Sequence, residues 1–156
     1  MVVFREQEKY IYRYEEYWED IKLLKSKIIK EKPSWANELL TPHIVGIYRG
    51  SLTIAAHLSN ILECGMSIVR FQSRDGDDKE PEFLLDLSNK NDQIIIVDDI
   101  YDSGKTFRAV KTLFYDYHYV KCLALFGKHN YDNVTYLHEN LGKWVVFPWE
   151  RSEGEM

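Results

Sequence analysis

Cysteine is nearly absent from this chain: 156 residues contain two, Cys64 and Cys122. Both sit among apolar neighbours, and no CxxC or His/Cys spacing accompanies them. That argues against a disulfide framework and against a zinc site, and for two buried thiols in a reducing compartment. Long hydrophobic runs are missing too. None approaches the ~18 apolar residues of a membrane span. The opening Met-Val-Val-Phe-Arg-Glu-Gln-Glu-Lys has no cleavable apolar core, so a soluble, cytoplasmic chain that touches no membrane is expected. Positive charge is in deficit, with 20 Lys and Arg against 25 Asp and Glu and a net charge of −5. A nucleic-acid surface is normally basic, so no nucleic-acid partner is expected. Repeats, low-complexity tracts and linkers are lacking as well, and residues 1–156 read as a single domain.

Against these absences stands one dense segment, residues 94–106, Ile-Ile-Ile-Val-Asp-Asp-Ile-Tyr-Asp-Ser-Gly-Lys-Thr. Four β-branched residues in a row fit a parallel strand with apolar neighbours on both faces. Asp98 and Asp99 then fall at the strand's carboxyl end, where open α/β sheets bind ligands. Asp102 follows, and Ser103, Gly104, Lys105 and Thr106 lead into a helical pattern whose first amides can converge on an anion. Carboxylates suited to sugar hydroxyls or a metal, beside a cradle for phosphate, describe a sugar-phosphate site. Gly-Lys-Thr also closes a P-loop, but that pattern needs a glycine where this chain has Asp99, and acidic side chains there would repel a triphosphate.

Periodicity predicts a short entry strand at 10–13 and a helix from Tyr14 to Lys30, on which Tyr14, Trp18, Ile21, Leu24, Ile28 and Ile29 recur at helical spacing; Pro33 would end it. A strand at 43–48, a tight turn at 49–51, a helix at 52–63 and a strand at 66–71 follow. Residues 72–82 are polar and read as a mobile loop or a solvated hairpin, either an exposed connector or a lid. Beyond the central strand come a helix at 105–115, a strand at 119–126 and a last strand at 143–147 that stops at Pro148. Strands alternating with helices predict an α/β fold with a mainly parallel central sheet flanked by helices. In the turn after the first buried strand, Arg49 is a bidentate phosphate partner and Gly50 lets backbone amides come close to a ligand.

Val97-Asp98-Asp99-Ile100-Tyr101-Asp102-Ser103-Gly104-Lys105-Thr106 resembles the 5-phosphoribosyl-1-pyrophosphate (PRPP) signature of the type I phosphoribosyltransferases, with Ser103 in place of the usual threonine. The resemblance implies that fold, with a flexible hood loop at about 72–82, and Mg2+ as cofactor. It implies Asp98 and Asp99 on the ribose hydroxyls, Asp99 also on the metal, and Asp102 through Thr106 around the 5′-phosphate. Arg49, Gly50 and Ser51 look like the family's pyrophosphate loop, and Asp102 is its candidate general base near N7 of a purine. In the segment of about 126–150, Lys128, Trp144 and Val145 are similar to the base-recognition residues of the 6-oxopurine branch: a lysine for O6, a stacking ring and a backbone that reads the base edge. Val146 stands where the bacterial xanthine-guanine pattern has a carboxylate. Ser73 and Arg74 are the hood residues to inspect.

The implied activity is transfer of 5-phosphoribosyl from PRPP to N9 of guanine, xanthine or hypoxanthine, with pyrophosphate released, by a homodimer or homotetramer. Two other readings stay open. One is a PRPP-sensing regulator of the same fold, against which the acidic charge and the lack of room for a helix-turn-helix speak. The other is a transferase for a different base.

Overall fold

The computed structural model describes residues 8–31, 41–72, 80–90, 92–128, 133–140 and 142–150. Strand β1 (Lys9–Ile11) leads into helix α1 (Tyr14–Lys30), whose buried Tyr17, Ile21, Leu24 and Ile28 make the apolar stripe predicted from spacing. Strand β2 (Pro42–Tyr48), helix α2 (Leu52–Leu62) and strand β3 (Gly65–Arg70) form the first parallel crossover. Strand β4 (Glu82–Leu85) turns back antiparallel on β3. Strand β5 (Gln93–Tyr101), helix α3 (Lys105–Lys111) with a 3₁₀ turn at Thr112–Phe114, and strand β6 (Tyr119–Gly127) form the second. Strands β7 (Thr135–Glu139) and β8 (Trp144–Val146) complete the set.

The main sheet has the order β4-β3-β2-β5-β6-β7, parallel except at β4. β5 is covered on both faces, as its unbroken apolar run predicts. Ile95 and Val97 pack with α1 and α2, while Ile94 and Ile96 pack with Phe107, Val110 and Phe114 on the other side. From β2 the chain winds outward through α2 to β3, and from β5 it winds the opposite way through α3 to β6. The strand order therefore reverses between β2 and β5, and the crevice beyond their carboxyl ends is where such sheets take ligands.

The structure departs from the sequence reading in several places. β5 continues through Asp98 and Asp99 to Tyr101, because Asp98, Ile100 and Tyr101 keep their pairing with β6. The helix over 105–115 is shorter, ending as the 3₁₀ turn. β4 and β7 were not anticipated. The last strand does not join the main sheet but pairs with β1, Lys9 with Trp144 and Ile11 with Val146, to make a separate two-stranded ribbon. This ribbon is tied down from below: the buried Asp20 carboxylate accepts from the Tyr12 hydroxyl, and its Oδ2 lies 2.7 Å from His138 Nε2 on β7. Ser73, Arg74 and Pro33 lie outside the described residues. Cys64 and Cys122 are not joined by a disulfide.

At the opposite end of the sheet His43 is buried, its Nε2 2.7 Å from Ser67 Oγ and its Nδ1 3.7 Å from Asp92. Burial pushes this imidazole below its ordinary value, against a smaller upward pull from Asp92 and Asp86. The unfolded chain therefore takes up a proton that the fold resists. Stability is full above the unfolded value of ~6.5 and is lost as pH falls toward the depressed folded value. Between pH 7.5 and 5.5 His43 therefore pulls the thermal midpoint down, and His43→Gln should have a higher midpoint at pH 5.5 relative to pH 7.5 than wild type does. His57, also pushed down by burial, keeps a remainder. Equal slopes in the two proteins would remove His43 from this role.

Candidate active site

Two loops meet at the point where the strand order reverses. The first follows β2, where the Tyr48–Arg49 peptide is cis and Arg49-Gly50 turn toward β5. A Cβ added at Gly50 would lie 3.1 Å from Asp99 Oδ2, so only glycine lets this loop sit directly on the carboxylate. Ser51 is fully buried, and its hydroxyl accepts the Ile47 N–H at 2.7 Å and donates to the Ile47 carbonyl at 3.1 Å. It shapes the turn from beneath.

The second loop leaves β5. Asp98 and Asp99 are half-buried and adjacent, which keeps two like charges close together. Burial first, and then the charge of Asp99 and a hydrogen bond from it, lift the Asp98 carboxyl well above its ordinary value. The Asp99 N–H donates to Asp98 Oδ1 at 2.9 Å, a partial compensation, and the Ile100 N–H donates to Asp99 Oδ1 at 2.7 Å. Asp102 is 68% exposed, and its Oδ1 lies 3.6 Å from Lys128 Nζ at the end of β6. The Lys128 N–H reaches back to the Tyr101 carbonyl at 3.3 Å, which fixes the start of that segment beside the loop.

Gly104 has φ of 83°, a left-handed conformation that favours glycine, and from it the chain enters α3. The Ser103 hydroxyl accepts the Lys105 N–H at 3.3 Å, Arg108 donates to the Ser103 carbonyl at 3.1 Å, and Thr106 is half-buried on the first turn. The bend is thus held by its own backbone and by Arg108, and Lys105 is an exposed residue.

Two cavities flank the acidic pair. A cleft of about 830 Å³ is lined by Tyr48, Arg49, Gly50, Gln72, Asp99, Trp149 and Glu150. A second, of about 360 Å³, takes in Asp99, Asp102, Lys128, Trp144, Val145 and Phe147, with Glu150 again. Trp144 is 56% exposed, a ring offered to the cavity, whereas Val145 is buried beneath it. Asp99 and Glu150 line both spaces and mark their junction. The structure therefore gathers Arg49, Gly50, Asp99, Asp102, Lys128, Trp144 and Val145 around two connected spaces.

Glu150, Trp149, Gln72, Asn140 and Lys143 also line these spaces and carry no role in the sequence reading. Glu150 had a usable signal, a carboxylate that follows shortly after the last strand. Burial first, and then the charge of Asp99, raise its carboxyl above the ordinary value. A carboxylate whose proton affinity is raised by another marks a place suited to a cation. All the donors at this junction are hard carboxylate oxygens, the chemistry Mg2+ prefers. Among the described residues no group of three or more His, Cys, Asp or Glu could enclose a metal by itself. In phosphate sites Mg2+ needs only one or two carboxylates, with substrate oxygens completing its shell.

The family model described as phosphoribosyl transferase domain matches residues 11–152, and the chain belongs to the phosphoribosyltransferase family. It is similar to the xanthine-guanine phosphoribosyltransferase of Cereibacter sphaeroides, 31% identical over 115 residues that cover 69% of this chain and 68% of that one. The xanthine-guanine phosphoribosyltransferase of Gluconobacter oxydans is 32% identical over 131 residues, covering 72% and 76%. Among solved structures, a purine phosphoribosyltransferase from Pyrococcus horikoshii superposes with a TM-score of 0.74 at 27% identity, covering 93% of this chain and 95% of that one. The fold is thus the mainly parallel α/β fold that the PRPP signature implied. Among the described residues no helix is long and apolar enough to cross a membrane.

Proposed function

We propose that this protein is a 6-oxopurine salvage enzyme, which transfers 5-phosphoribosyl from PRPP to N9 of the base and releases pyrophosphate and the nucleoside 5′-monophosphate. The observation that carries this reading is the shared wall. Asp99 borders both the Arg49/Gly50 cleft and the Lys128/Trp144 cavity, so a pentose held there reaches a leaving group on one side and a base on the other.

In this reading Asp98 and Asp99 accept from the ribose hydroxyls, and the bend from Asp102 to Thr106 holds the 5′-phosphate through its amides and hydroxyls. Arg49 and the Gly50 backbone stabilise the charge that grows on the departing pyrophosphate. Asp99, with Glu150 beside it, would hold Mg2+, which when bound neutralises pyrophosphate charge. As the C1′–O bond breaks, positive charge develops on the ribose, and the nearby carboxylates favour it electrostatically. Lys128 donates to O6, Trp144 stacks on the base, the Val145 backbone meets its edge, and Asp102 exchanges a proton at N7. A lysine only donates, so it suits a 6-oxo group and has nothing to offer the 6-amino group of adenine. Exposed Tyr14 and Trp18, stacked 6.5 Å apart on α1, support assembly as a homodimer or homotetramer.

The test is direct. Purified protein with PRPP and Mg2+ is offered guanine, hypoxanthine, xanthine, adenine, uracil and orotate, and the nucleotide formed is measured. Turnover of 6-oxopurines alone is expected. Lys128→Ala should cut their kcat/KM by ~10-fold or more, the loss of a hydrogen bond to a charged group. An unchanged base preference in that variant would defeat the assignment of Lys128. Tight PRPP binding with no turnover of any base would favour the sensing reading instead.

A further inference from the structure

Shared residues string the cavities of the site in a fixed order. Asp99 and Glu150 join the phosphate-side cleft to the base-side cavity. Asn140, Lys143 and Val145 join the base-side cavity to a third hollow of about 230 Å³, walled by Tyr10, Phe126, His138 and, outside the base-side cavity itself, the exposed Glu139. The base-side cavity thus has a carboxylate end and an opposite end carrying a lysine and an asparagine. A purine linked to ribose through N9 turns its five-membered ring to the carboxylates. Its six-membered ring, with C2 and C6, faces the other way.

Resting on the function proposed above, we infer that Lys143 determines base specificity by donating to an oxygen at C2, so that the 2,6-dioxopurine xanthine is preferred over guanine and hypoxanthine. Lys128, paired with Asp102 at the end of β6, serves the 6-oxo group. The cation at the opposite end of the cavity is Lys143, and an ammonium fits a 2-oxo group while opposing a 2-amino group. Asn140 strengthens the same polarity. Its Oδ1 accepts the Gly142 N–H at 3.2 Å, so what it offers the cavity is its amide donor.

Two backbone acceptors at this wall already hold a donor each. The carbonyls of Val146 and Phe147 accept the N–H groups of Tyr12 and Glu150, each at 3.0 Å. Val146 itself is a buried hydrocarbon. Asp99 and Glu150 stand at the far end, and Asp102 faces Lys128. Lys143 pairs with Glu8 at 3.7 Å, but both side chains are exposed, and such a pair is too weak to hold the ammonium away from a ligand. Xanthine is also the most acidic of the three bases, and a second ammonium beside it favours its anion.

The experiment is kcat/KM for xanthine, guanine and hypoxanthine in wild type, Lys143→Ala and Lys143→Arg. Hypoxanthine has no C2 substituent and serves as the internal reference for folding and for PRPP use. Wild type should prefer xanthine. Lys143→Ala should lower the xanthine-to-hypoxanthine ratio by ~10-fold or more and raise the guanine-to-hypoxanthine ratio, while Lys143→Arg keeps most of the xanthine preference. A xanthine ratio that moves by less than about twofold in Lys143→Ala overturns the inference, since a lost charged hydrogen bond is worth more than that. So does a wild type that prefers guanine. Either result leaves 6-oxopurine transfer standing, whereas failure to use any of the three bases brings down the proposed function itself.

Discussion

Asp102→Asn is expected to lower kcat with a 6-oxopurine by ~10²–10⁴-fold, the usual contribution of a positioned proton donor or acceptor. Asparagine keeps the shape of the side chain and the backbone of the phosphate bend, but it cannot exchange a proton with N7. The fold should tolerate the change, because Asp102 is 68% exposed and its partner is the part-exposed Lys128, 3.6 Å away. The comparison to make is steady-state turnover at saturating PRPP beside the KM for PRPP. A fall in kcat with KM little changed is the signature of an interaction made only in the transition state. A kcat within about threefold of wild type would show that Asp102 moves no proton in the slow step.

Asp98→Asn should move two properties in opposite directions. The Asp98 carboxyl resists ionisation because it is buried and lies against Asp99, so the folded state holds its proton to higher pH than the unfolded chain does. The stabilisation from that proton is complete below the unfolded value of ~3.9 and disappears as pH rises through the raised folded value. At neutral pH that raised proton affinity costs the fold stability, a cost that a neutral amide does not carry. A gain of on the order of 1 kcal/mol corresponds to ~2–4 °C in thermal midpoint for a chain of this size, and at least that is expected at pH 7. The difference between variant and wild type should shrink toward pH 4. In the same variant the KM for PRPP should rise ~10-fold or more, as a charged acceptor for a ribose hydroxyl becomes a neutral amide. A variant that is less stable at pH 7 would show that the two carboxylates do not repel. The pair is a place where a ligand site is kept at the expense of stability, a common arrangement in active sites.

Glu150 extends the same electrostatics. Asp99 lies against Asp98 on one side and acts on Glu150 on the other, with no lysine or arginine paired to these carboxylates in the described contacts, and both Asp98 and Glu150 resist losing their proton. A sugar hydroxyl or a divalent cation satisfies such a group, whereas a bare phosphate would be repelled. In the proposed function phosphate groups are served from the flanks instead, by Arg49 on one side and the Gly104 bend on the other.

Local chemistry alone made much of this protein legible. The run Ile94–Val97 had to be a strand buried on both faces, because four β-branched apolar residues cannot alternate with solvent. Gly104 had to be a bend, and the acids and hydroxyls around it had to be its chemistry. The stripe of α1 was readable because Tyr17, Ile21, Leu24 and Ile28 recur at the helical period. The short edge strands β4 and β7 escaped because four or five residues of mixed polarity carry too little period to distinguish a strand from a loop. The pairing of β8 with β1 escaped because it joins opposite ends of the chain, and a three-residue strand has no local signature of its partner. Sequence named Arg49 and Asp99 from their places at strand ends, and Lys128 and Trp144 through the resemblance to the 6-oxopurine branch, each one by one. Tertiary structure decided that Asp99 would be the wall between two cavities, that Glu150 would share it, that Ser51 would turn inward, and that Lys143 and Asn140 would close the far end. Those are facts of distance between segments, and distance between segments is set by how the two sheets pack, which no short stretch of residues encodes.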